Sequence, residues 1–163
     1  MRNLVVTGFM GTGKTSVGRE VARRLARPFV DMDAEIEARA GKPIRYIFEE
    51  DGEAAFRCME SALCEELAAR DGLIIATGGG AFVDPDNREV LMRSGQVICL
   101  NAEAEEVIDR VGDDETRPLL NGTDPEAAVD ALMDARRDAY AAIPWQVSTS
   151  GRALDEVVDA VMA

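Results

Sequence analysis

The sequence predicts an α/β fold, a five-stranded parallel sheet with helices on both faces. Short apolar runs alternate with stretches of helical periodicity, a glycine-rich turn joins the first run to the first helix, and 47% of the 163 residues are hydrophobic. That is enough apolar material for one substantial core in a chain about the size of a single domain.

In chain order, Leu4 to Thr7 reads as a strand followed by a helix from Thr15 to Ala26. Phe29 to Met32 precedes a helix from Ala34 to Ala40, Leu73 to Thr77 precedes Pro85 to Arg93, and Val97 to Leu100 precedes Ala104 to Val111. Strands this short and this continuously apolar are buried on both faces, and the helices supply the crossovers that parallel strands need. Val147 to Thr149 is a weaker fifth strand, followed by a last helix from Leu154 to Met162. Between Phe29 and Leu73 the chain is longer than one crossover requires. It holds helical pieces from Ile44 to Glu49 and from Glu53 to Ala69, the second with Phe56, Met59, Leu63 and Leu67 at i, i+3 and i+4 spacing. This insert, about residues 32–62, is expected to cover a pocket and bind substrate. The stretch GDDETRPLLNGTDP, Gly112 to Pro125, reads as a mobile surface loop and a candidate lid over about residues 112–124. With no repeat or linker to divide it, residues 1–163 form one expected domain.

A net charge of -13 and no basic patch argue against nucleic acid and anionic lipid as partners. The longest apolar runs are only a few residues, and no charged leader precedes Leu4, so the expectation is a cytoplasmic protein, acting as a monomer, without a membrane partner. Cys58, Cys64 and Cys99 form no CxxC pair and are expected to be buried or half-buried. Histidine is absent, which removes Ser-His-Asp chemistry and leaves proton transfer to a carboxylate, a lysine, a tyrosine or water.

GFMGTGKT, Gly8 to Thr15, fits G-x-x-x-x-G-K-[ST], after an apolar strand and before an amphipathic helix. Its glycines let successive backbone N–H groups turn inward toward phosphate oxygens, and the helix adds the positive end of its dipole. Lys14 supplies a mobile cation for the β- and γ-phosphates, and the Thr15 hydroxyl is a hard ligand for Mg2+. The fold class is therefore a P-loop NTPase-type three-layer sandwich with a substrate-binding helical insert and a lid. DMD, Asp31 to Asp33, closes the second strand, and strand alternation points both carboxylates the same way, one toward the Mg2+ shell and one toward an acceptor hydroxyl. The alternative is that Asp33 caps the next helix. GGG, Gly78 to Gly80, ends the third strand in the same crevice, where a ligand reaches backbone N–H groups closely.

Taken together, GFMGTGKT, DMD, DGEAAFR (Asp51 to Arg57), TGGGA (Thr77 to Ala81), TRPLL (Thr116 to Leu120) and LMDARRDAY (Leu132 to Tyr140) resemble, in order and spacing, the shikimate kinases. The resemblance implies ATP- and Mg2+-dependent phosphorylation of the shikimate 3-hydroxyl, on the route to chorismate and the aromatic amino acids. It implies that Gly11, Thr12, Gly13, Lys14, Thr15 and Ser16 hold the ATP phosphates. Asp33, Arg57, Gly78, Gly79, Gly80 and Arg136 would hold shikimate, and Asp33 would take the reacting hydroxyl. Arg117 resembles the lid arginine that closes over the phosphates, making Lys14, Asp33 and Arg117 the catalytic set. Arg110 and Arg152 resemble positions flanking adenine, and Thr15 and Asp31 are the implied metal residues. Two points depart from the family pattern. Thr15 stands where serine is often found, and Trp145 interrupts a run expected to be plainer, with core packing and the nucleotide pocket both open. A gluconate or nucleoside-monophosphate kinase, or a nucleotide-binding module without turnover, are the competing readings.

Overall fold

A computed structural model describes residues 1–9, 11–103, 105–107 and 125–163. Five strands form one sheet, β1 (Asn3–Gly8), β2 (Phe29–Asp31), β3 (Ile74–Ala76), β4 (Gly95–Asn101) and β5 (Trp145–Ser148). Their order is β2-β3-β1-β4-β5 and every pair is parallel. The first strand is central, and the chain leaves it toward one edge and later toward the other. A crevice therefore opens at the carboxyl ends of the middle strands.

Alternation along each strand divides the core in two. Val5, Ile75, Val97 and Cys99 face one side, and Val6, Ile74, Ile98 and Leu100 face the other. The second side is covered by α1 (Lys14–Leu25) and α7 (Leu154–Met162) through Val17, Val21, Val157, Val158 and Val161. The first side is covered by α2 (Met32–Ala40), α3 (Ile44–Glu50), α4 (Glu53–Ala68), α5 (Pro85–Ser94) and α6 (Pro125–Ala141). Because both faces are buried, the strands are apolar at successive positions and not only at alternate ones.

Five expectations need correction. First, β2 stops at Asp31 and α2 starts at Met32, so Asp33 sits in a helical first turn and strand alternation does not orient it. Asp31 caps that helix, its side chain accepting from the Ala34 N–H, and Asp33 does not. Second, the apolar stripe of α4 runs through Phe56, Glu60, Leu63, Cys64 and Leu67, while Met59 is exposed. Third, Cys58 lies on the exposed face of the same helix, though Cys64 and Cys99 are buried. Fourth, Trp145 is 56% exposed and lines neither core nor cleft. It opens β5 two residues earlier than expected, because backbone pairing with Ile98 and not burial defines this edge strand. Fifth, α6 spans 17 residues where the sequence suggested no element. Its inner face carries Val129, Arg136 and Tyr140, and an arginine inside the stripe blurs the apolar period. The expected helix from Ala104 to Val111 is described only at residues 105–107, and the candidate lid lies outside the described residues.

Candidate active site

The turn between β1 and α1 explains its glycines. Gly11 and Gly13 adopt φ of 76° and 90°, the left-handed region that side-chain-bearing residues avoid. The Thr12 hydroxyl, buried, donates to the Phe9 carbonyl at 2.7 Å, and Lys14 Nζ donates to the same carbonyl at 3.0 Å. Gly13 is the N-cap of α1, so no side chain caps its first N–H groups, and the first turn holds no acidic residue. The positive end of the helix is left for an anionic ligand.

In the first turn of α1, Thr15 Oγ1 donates to Asp31 Oδ2 at 2.6 Å, while Asp31 Oδ1 accepts from the Ala34 N–H at 3.1 Å. Two hard oxygens from different elements thus stand together beside the loop. This donor set fits Mg2+, which favours oxygen and keeps several waters and phosphate oxygens in its shell. Among the described residues no group of three or more His, Cys, Asp and Glu forms a cage.

The opposite wall comes from α2, α4 and α6 against the end of β3. A Cβ on Gly78 would stand 2.7 Å from Asp33 Oδ1 and 2.9 Å from Glu60 Oε2, and one on Gly80 would stand 2.6 Å from Arg57 Nη1. These glycines make room for the protein's own charged groups. Glu60 is 1% exposed; its Oε1 accepts from Arg57 Nη1 at 2.9 Å, and its Oε2 is buried with no hydrogen-bond partner. Burial raises its pKa above the usual carboxylate value, Arg57 offsets part of that, Asp33 adds to the rise and Arg136 opposes it. Arg136 is 6% exposed, with its guanidinium 5.5 Å over the Phe9 ring and Nη1 buried without a hydrogen-bond partner. Leaving such a donor unmet costs about 1–3 kcal/mol, which a bound anion would recover. One turn on, the Tyr140 hydroxyl donates to the Gly79 carbonyl, and burial pushes its pKa up to about 12.

Both walls enclose one cleft of about 860 Å3. The structure brings Gly11, Thr12, Gly13, Lys14, Thr15, Ser16, Asp31, Asp33, Arg57, Gly79, Gly80, Arg136 and Arg152 to its lining. Gly78 stands just behind it, against Asp33 and Glu60. Arg152 donates from Nη1 to the Ser148 carbonyl at 3.2 Å. Arg110 and Arg117 lie outside the described residues. Sequence reasoning missed Glu60 and Tyr140. The readable signal for Glu60 was an acid four residues after Phe56 and three before Leu63, on a stripe that should be apolar.

The shikimate kinase family model matches residues 10–163. A shikimate kinase of Desulforudis audaxviator is 45% identical over 162 residues, 99% of this chain and 85% of that protein. Among solved structures, the shikimate kinase from Acinetobacter baumannii in complex with shikimate superposes with a TM-score of 0.95 at 37% identity, covering 99% of this chain and 91% of the other. A gluconokinase from Sinorhizobium meliloti, at TM-score 0.61 and 20% identity, covers 98% of this chain and 89% of its own and shares the fold alone. With a loop for phosphate on one wall, two arginines on the other and a family match across nearly its whole length, this chain belongs to the shikimate kinase family.

Proposed function

We propose that the protein transfers the γ-phosphoryl group of ATP to the 3-hydroxyl of shikimate. The observation that carries this reading is the single cleft in which an uncapped helix N-terminus and Lys14 face Arg57 and the buried, incompletely bonded Arg136. Shikimate is a carboxylate with vicinal hydroxyls, and guanidinium forks match carboxylates better than ammonium groups do.

In this reading the backbone from Gly11 to Thr15 and the Ser16 hydroxyl hold the triphosphate, and Lys14 neutralises its outer charge. Thr15 and Asp31 would hold Mg2+, which would supply charge neutralisation to the phosphates. Arg57 and Arg136 grip the acceptor carboxylate, the Gly79 backbone meets a hydroxyl, and the Tyr140 bond to the Gly79 carbonyl fixes that peptide. The Asp33 carboxylate orients the 3-hydroxyl and accepts its proton as the oxygen attacks phosphorus. Arg152 flanks adenine, and the family resemblance assigns Arg110 to the adenine and Arg117 to the transferred group. Phosphoryl transfer asks little covalent work of the protein, so catalysis rests on in-line positioning and electrostatics. The same reading makes the protein a cytoplasmic monomer without nucleic-acid or membrane partners, supported by its charge of -13 and its use of ATP. Among the described residues no helix is long and apolar enough to cross a membrane.

The test is ADP release measured with shikimate, with gluconate and with no acceptor. Turnover with shikimate alone, and a phosphorus resonance split by coupling to the ring proton at C3, is the expected result. Equal release in all three arms, or a preference for gluconate, overturns it.

A further inference from the structure

Four charged side chains converge beside Gly78 and Gly80, namely Asp33 from α2, Glu60 and Arg57 from α4, and Arg136 from α6. All ionised, two carboxylates offset two guanidiniums. An acceptor carboxylate that claims Arg57 and Arg136 upsets that balance and brings a third negative charge to a place where Glu60 is 1% exposed. Charge that cannot reach water is relieved by protonation of the most buried acid.

We infer that Glu60 takes up a proton when the acceptor binds, so that shikimate enters the site together with a hydrogen ion held on Glu60 Oε2. The inference rests on the acceptor reading above. Its geometry is specific to that oxygen. Oε1 is engaged by Arg57 at 2.9 Å, whereas Oε2 is buried without a hydrogen-bond partner and is the oxygen open to a proton. Asp33 Oδ1 and Glu60 Oε2 approach the same point, 2.7 and 2.9 Å from it, so a proton on Oε2 also relieves the repulsion between the two acids. The remaining groups facing Glu60 do not compete for this role: Cys64 on α4 and Tyr140 on α6 are each pushed up to about 12 by burial, and guanidiniums stay charged. Glu60 acts through Arg57 and is a positioning residue that sets the pH range of acceptor affinity. Kd for shikimate then rises with pH above the free-enzyme value of Glu60, by at most about tenfold per pH unit.

Calorimetric titration of shikimate into the full chain without nucleotide, between about pH 6 and 8 in buffers of different ionisation enthalpy, counts the protons. The expected result is uptake approaching one proton per shikimate, lost in Glu60→Gln, whose affinity becomes independent of pH while its MgATP binding is retained. Shikimate binding without proton exchange at every pH, or uptake undiminished in Glu60→Gln, overturns the inference. If Glu60→Gln fails to fold, the wild-type proton count decides alone, uptake supporting the inference and its absence overturning it. An absence of any binding heat at all overturns the acceptor reading itself, and this inference with it.

Discussion

Lys14 and Arg57 are charged residues of the same cleft with different expected kinetics. On the proposed reading Lys14 faces phosphates whose charge changes during transfer, so Lys14→Ala should lower kcat by about 10²–10³ with the thermal midpoint little changed. On the same reading Arg57 faces an acceptor carboxylate that is a bystander to the chemistry. Arg57→Ala should raise KM for shikimate roughly 10- to 100-fold and leave KM for ATP near wild type, and steady-state kinetics with each substrate varied separate the two outcomes. Gly80 offers a subtler change. A methyl there meets the Arg57 guanidinium at 2.6 Å, the far end of a flexible side chain that can move aside. Gly80→Ala should therefore reproduce the KM effect of losing Arg57 while urea unfolding shifts by less than about 1 kcal/mol; an unchanged KM would show that Arg57 keeps its place.

Among the elements, α1 carries the phosphate loop at one end and a local strain at the other. Its C-cap, Ala26, adopts φ 52° and ψ 45°, the one non-glycine residue with positive φ among those described. A left-handed alanine costs roughly 1–2 kcal/mol, and glycine would relieve it at the expense of a more flexible unfolded chain. Ala26→Gly should stabilise by about 0.5–1 kcal/mol, seen as a higher urea midpoint at unchanged slope, with kinetics unaltered because the cap lies at the far end from the cleft. Helices α4 and α6 illustrate a different economy. Each places one charged residue, Glu60 or Arg136, on a face otherwise apolar.

For the whole molecule, the net charge of -13 outweighs local pairs such as Arg39–Glu66 and Lys42–Asp51, which are partly exposed and individually worth about 0–1 kcal/mol. Screening at about 0.15 M salt should relieve more repulsion than attraction, raising Tm by a few degrees over low salt; a fall in Tm on adding salt would mean that the pairs dominate. Two acids run in opposite directions with pH. Glu20, bonded by Arg23 and Arg24, is held down to about 2, so its contribution is present above the ordinary carboxylate value and lost as pH falls toward 2. Glu60 is raised by burial, so its contribution is present at acid pH and lost as pH rises through its folded value.

The five strands, the helices of the first half and the glycine-rich turn before α1 were legible in the chain because they depend on local spacing, whereas α6 and Glu60 were not. A run of four apolar residues, a G-x-x-x-x-G-K-T turn and an acid at a strand end each declare themselves within a few positions. What lay beyond reach depends on groups far apart in sequence. Only the tertiary arrangement decided that Glu60 is buried within reach of Arg136 and Asp33, that β2 gives way to α2 before Asp33, and that Trp145 at the β5 edge stays in water. Burial and its effect on charge are properties of neighbours, and neighbours exist only once the chain has folded.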